Sequence, residues 1–147
     1  MTRMNLVPVE ELSIPHLIAE YREISRIIMQ KINTKNAPTH YCLGEGHVKF
    51  ARKHALFVIH RYKQLCDEMT YRGFVVNYPY EALLKVYENT VEAENKNDYL
   101  PTFDDIELSR DRIIEKLKLK PRAYTWGNRP EPLYHVRMLE DLESTIA

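Results

Sequence analysis

Ile14-Pro15-His16-Leu17-Ile18-Ala19-Glu20-Tyr21-Arg22-Glu23-Ile24-Ser25-Arg26, continuing to Lys31, is the stretch from which the fold of this chain is read. Ile14, Leu17, Tyr21, Ile24 and Ile28 recur at three- and four-residue spacing, which predicts an amphipathic helix over residues 14–31 with one apolar stripe. At ~3.6 residues per turn, Glu23 has Ala19 one turn back and Arg26 one turn on. Arg22 and Arg26, four apart, share a side with that carboxylate. Ahead of the helix lie Thr2-Arg3-Met4-Asn5-Leu6 and a turn at Pro8. A helix that gathers two cations and a carboxylate beside a chain terminus is a candidate site.

The terminus supplies the complementary chemistry. A small second residue is the usual condition for removal of an initiator methionine, and removal leaves Thr2 with a free α-amine. Such an amine has a pKa of about 7.7–8.0, against about 10.4 for lysine, so a sizeable fraction is neutral near pH 7. A neutral amine can attack a sugar C1′ and form a Schiff base without the burial a lysine needs. Glu23 can then move protons or stabilise the cationic intermediate. An uninvolved terminus and a solvated helix face fit the same spacing.

Met1-Thr2-Arg3, Asn5-Leu6-Val7-Pro8, His16-Leu17, Ala19-Glu20-Tyr21-Arg22-Glu23-Ile24 and Arg26 together resemble the start of the phage pyrimidine-dimer DNA glycosylases, also called phage endonuclease V. These enzymes combine glycosylase and abasic-site lyase activity. The resemblance implies that the processed Thr2 amine is the nucleophile and Glu23 the catalytic carboxylate. It places Arg3, Arg22 and Arg26 on the lesion and its phosphates, and His16 in the active site. Further along, Leu43-Gly44-Glu45-Gly46-His47-Val48, Arg72-Gly73-Phe74 and Asp98-Tyr99-Leu100-Pro101 also match the family. So does Ser109 with Arg112, Glu115 and Lys116, where the family carries DNA-contacting Arg112 and Lys116 further from the lesion. The resemblance covers roughly residues 1–127. Residues 26–44 are shorter than in the phage enzyme and lack its basic loop, Ala51 replaces an aromatic, and residues 128–147 have no counterpart.

Length and composition set wider bounds. A chain of 147 residues, 44% apolar and 29% charged, describes one ordinary soluble domain with one core. There is no membrane-spanning run and no signal-peptide pattern. Cys42 and Cys66 lack ligand spacing and suggest a reducing compartment, as small buried hydrophobes. Net charge is zero but segregated. Residues 1–63 carry ten Lys/Arg and five Asp/Glu, residues 64–108 three and ten, residues 109–138 eight and three, and the last nine three acids alone. Two basic regions can therefore line one groove.

Past the first helix, Val48, Ala51, Ala55, Ile59, Tyr62, Cys66 and Met69 predict a second, ending at Arg72-Gly73. Its outer face is read as basic through Lys49, Arg52, Lys53, His54 and Arg61. Gly44-Glu45-Gly46 either offers N–H groups to a phosphate or makes a tight turn into the helix. Residues 80–94 predict a short acidic helix. Thr102, with Asp104 and Asp105 behind it, is an N-cap for a helix to about Lys118. There Arg112, Lys116 and Lys120 form a cationic stripe, explained by an anionic partner or by the helix dipole. Trp126 either stacks on a base or plugs the core.

These readings combine into an all-α, compact single domain spanning residues 1–147, with three main helices, one or two short ones, and the N-terminal segment threaded between them. Residues 128–147 are an extension. The implied function is excision of UV-induced cyclobutane pyrimidine dimers followed by β-elimination, with no cofactor and no metal. Thr2 and Glu23 are catalytic, and Arg3, His16, Arg22, Arg26, Arg112 and Lys116 bind DNA. The expected partner is double-stranded DNA containing damaged bases, handled by a monomer in the cytoplasm of a bacterial cell or phage-infected host, away from membranes. Another modified base, a non-catalytic DNA-binding module, and a helical interaction protein using residues 88–94 remain open.

Overall fold

The apolar stripe of the opening stretch folds as α1 (Ile14–Met29) in a computed structural model that describes residues 3–146. Ser13 caps it, its hydroxyl accepting the His16 N–H at 3.3 Å, and Pro15 occupies the first turn, where an N–H has no helical acceptor. Leu17, Ile24 and Ile27 are fully buried. After α1 come α2 (His47–Lys53), α3 (Ala55–Tyr71), α4 (Tyr80–Thr90), α5 (Phe103–Leu119) and α6 (Leu133–Ile146), with 3-10 turns at Val9–Glu11 and Ala93–Asn95. The described residues form helices and no strand; one isolated bridge joins His54 and Lys96. The fold is all-α, and none of its described helices is long and apolar enough to cross a membrane.

The three long helices expected are α1, α3 and α5. The second helix differs from the expectation: it breaks at His54, whose backbone leaves helical geometry (φ −112°, ψ 49°). Residues after α4 fill the break, with Asn97 donating to the Lys53 carbonyl at 2.9 Å and accepting the Phe57 N–H. Gly46, at φ 89°, turns the chain into α2, and a Cβ there would meet Pro38 at 2.9 Å. At α5 the expected cap is present: Thr102 accepts the Asp105 N–H and Asp105 accepts the Thr102 N–H, a complete capping box.

The expected basic outer face of α2 and α3 is corrected at three positions: Arg52, His54 and Arg61 are buried. Arg52 donates to the carbonyls of Ile27, Ile28 and Gln30 at 2.9–3.0 Å and pairs with Glu92 at 3.1 Å. It thereby satisfies the last carbonyls of α1, which no helical N–H reaches. His54 keeps a ring nitrogen 2.8 Å from the Phe50 carbonyl. Trp126 belongs to the interior, donating Nε1–H to the Glu11 carbonyl at 2.9 Å.

Residues 128–146 double back over the N-terminal segment. Arg129 pairs bidentately with Glu68 and lies 3.8 Å over the Tyr71 ring. Tyr134 donates to the Glu11 carbonyl at 2.9 Å. Just past α3, Arg72 donates to the Leu12, Val9 and Glu10 carbonyls.

The N-terminal segment threads between the helices. Glu20 of α1 and Arg61 of α3 are 2% and 5% exposed and meet through two contacts, at 2.7 and 3.0 Å. The third guanidinium nitrogen donates to the Val7 carbonyl at 2.6 Å, and the Asn5 amide donates to Glu20 at 2.9 Å. Removing one partner of a buried pair strands the other charge, so Arg61→Met is expected to cost about 3–5 kcal/mol. Urea unfolding reads this as a lower midpoint at unchanged m-value. A loss below about 1 kcal/mol, the range of exposed pairs, would show that solvent reaches Glu20.

Candidate active site

His16, Glu20 and Glu23 stand four and three residues apart, so one side of α1 carries all three. On α5, Arg112 and Lys116 are likewise one turn apart. Where these faces meet, beside Arg3 and Asn5 of the threaded segment, lies a cavity of about 400 Å³ lined also by Ala19 and Ile113. Five of the residues expected at the site, Arg3, His16, Glu23, Arg112 and Lys116, line it together. Arg112 and Lys116 therefore do not sit apart from Glu23 as expected; the packing of α5 brings them to the same cavity. Arg22 and Arg26 are exposed on α1 and are not among its lining residues. Thr2 lies outside the described residues.

The charges are unbalanced in favour of an anion. Glu20 is engaged with Arg61 and Asn5. Glu23 is half-buried and forms no ion pair among the described residues. Facing it are the cationic side chains of Arg3, Arg112 and Lys116. The Arg112 Nε–H is buried with no hydrogen-bond partner, a donor whose desolvation an incoming acceptor would repay.

His16 is fixed on two sides: the Ser13 hydroxyl lies 2.9 Å from Nδ1, and the Tyr124 ring stacks 5.0 Å away at an interplanar angle of 12°. Burial pulls its pKa below the ordinary 6.5, Glu20 opposes this, and Lys116 lowers it further. The ring is therefore uncharged at neutral pH.

Two contributors escaped the sequence reading. Asn5 stands only inside a longer motif and Arg61 in none, but for the charged pair a signal was present. Glu20 falls between Leu17 and Ile24 on the apolar stripe of α1, and Arg61 falls between Val58 and Leu65 on that of α3. A charge at a core position needs an opposite charge opposite it.

Residues 1–82 match the family model described as pyrimidine dimer DNA glycosylase. The match takes in more than half of the chain, and the chain belongs to this family. It spans the threaded segment, α1, α2 and α3, while Arg112 and Lys116 lie beyond it.

The shared cavity has a titration signature. His16, followed by NMR, is expected to titrate with a midpoint below 6.5, and the midpoint should rise in Lys116→Gln because a nearby cation has been removed. A midpoint indifferent to that substitution would show that α5 does not face His16.

Proposed function

We propose that this pyrimidine dimer DNA glycosylase excises its base through a Schiff base on the α-amine of Thr2 and then cuts the strand by β-elimination. The observation that carries the reading is the Glu23 carboxylate placed among Arg3, Arg112 and Lys116, beside the threaded segment that begins at the nucleophile. Arg3, which lines the cavity, directly follows Thr2 in the chain.

The amine lone pair forms the bond to C1′ as the glycosidic bond breaks, and the departing base takes up a proton. The sugar ring opens to an imine. Loss of a C2′ proton then places a double bond between C2′ and C3′ and expels the 3′ phosphate; water hydrolyses the imine and frees the amine. Glu23 stabilises the cationic centre, protonates during glycosidic cleavage, and takes part in the proton transfer of elimination. Arg112, Lys116 and Arg3 hold phosphates around the opened nucleotide. Arg22 and Arg26, exposed on the adjoining surface of α1, contact the backbone outside the cavity. A distorted lesion suits such a site, because unstacking costs least at a damaged base.

Borohydride is expected to trap the protein on abasic-site duplex, with N-terminal sequencing placing the adduct on the first residue of the processed chain. Glu23→Gln should keep lesion binding while excision and strand cleavage fall by about 10²–10⁴-fold. An adduct on a lysine would remove Thr2 from the mechanism, and near-normal turnover of Glu23→Gln would make Glu23 a structural residue.

A further inference from the structure

Three side chains grip the backbone of residues 4–6. The Leu6 N–H donates to the Ser109 hydroxyl at 2.9 Å, the Tyr41 hydroxyl donates to the Met4 carbonyl at 2.8 Å, and the Met4 N–H donates to His47 Nε2 at 2.9 Å. The last differs from the other two. The opposite ring nitrogen, Nδ1, lies 2.7 Å from the Cys42 carbonyl. A carbonyl only accepts, so Nδ1 carries a hydrogen; a backbone N–H only donates, so Nε2 must present its lone pair. Both contacts together require the neutral Nδ1–H tautomer. A proton on Nε2 would set two donors against each other inside the fold, where His47 is 3% exposed.

We propose that His47 is a positioning residue for the nucleophile: its neutral ring holds the Met4 amide, and protonation of the ring breaks that hold. Met4 is two residues from Thr2, a span of at most about 7 Å of extended chain, so the hold on Met4 bounds where the amine can reach. Asn5 and Arg3, on either side of Met4, both line the cavity with Glu23. This inference rests on the assignment of Thr2 as nucleophile.

The surroundings of the ring favour this behaviour. The Tyr41 ring meets it edge-on at 5.5 Å, and burial holds both the Tyr41 phenol and the Cys42 thiol in their protonated forms by raising their pKa values. Glu20 of α1 is the carboxylate facing it, and Arg61 of α3 neutralises that charge. Burial therefore prevails and lowers the His47 pKa below the ordinary 6.5, against the Cys42 carbonyl and Glu20. A lowered histidine pKa means that the unfolded chain binds the proton more readily. The hold is complete above 6.5 and is lost as the pH falls from there through the folded-state value.

Two readouts on wild type and His47→Gln test this. Glutamine donates through its amide and accepts through its oxygen, as the neutral ring does, but does not titrate. Hydrogen exchange of the Met4 amide, as a protection factor without DNA, should collapse in wild type as His47, followed by NMR, titrates below pH 6.5, and should persist in His47→Gln. Borohydride trapping on abasic-site duplex should fall more steeply with acid in wild type, leaving the glutamine variant faster at the acid end by up to about 10²-fold. The Thr2 amine titrates in both proteins, so the difference between their profiles belongs to His47. Matching trapping profiles, or Met4 protection unchanged by pH, would overturn the inference while leaving Thr2 as nucleophile. Met4 protection that follows His47, with the adduct formed elsewhere, would overturn the Thr2 assignment and with it the catalytic role of His47.

Discussion

The buried pair of Glu20 and Arg61 is the interaction from which the rest of the molecule takes its arrangement. Removing two charges from water costs several kcal/mol per ion, and only close geometry with every remaining donor and acceptor occupied returns it. Here the guanidinium gives two nitrogens to Glu20 and the third to the Val7 carbonyl, and Asn5 supplies a further donor to the carboxylate. Neither charge is satisfied unless residues 5–7 lie between α1 and α3. The pair therefore makes the N-terminal segment a component of the core: Met4 and Val7 are fully buried in the same hydrophobic cluster as Leu17, Ile24 and Leu65.

That placement creates the site. With the segment inserted, the polar side of α1 faces α5 across a cavity, and Glu23 meets Arg112 and Lys116 there. One helix thus serves two purposes through its period: Leu17, Tyr21 and Ile24 hold the core while His16 and Glu23 face the opening. The C-terminal part reinforces the same segment, since Trp126, Tyr134 and Arg129 act on Glu11 and on Glu68, beside Arg72. A flexible tail would lose conformational entropy on binding DNA; a segment ordered in advance has already lost it.

Much of this could be read in the chain. The period of residues 14–28 marks α1, Thr102 marks the start of α5, and the motif from His16 to Arg26 points to the family. What could not be read depends on distant partners. Arg52 and His54 count as polar in a helical pattern, and Arg61, though on the apolar stripe of α3, does not reveal its partner; each has its acceptor on an element formed elsewhere or on a carbonyl a turn away. The approach of Arg112 to Glu23 is likewise a product of packing rather than of spacing. Residues 128–147 read only as an extension with an acidic end. Pro132 instead stands directly ahead of α6, its carbonyl accepting the His135 and Val136 N–H groups.

The N-terminal segment is as firmly rooted as the helices around it. Native-state hydrogen exchange at pH 7.5 tests it most directly, through the Met4 and Leu6 amides, which donate to His47 and Ser109. If the segment is core, both open only with the global unfolding that also exposes the amide of Leu65 in α3, and the three opening free energies agree. Opening of Met4 and Leu6 through a local event several kcal/mol cheaper than that of Leu65 would show instead that the segment frays independently of the core.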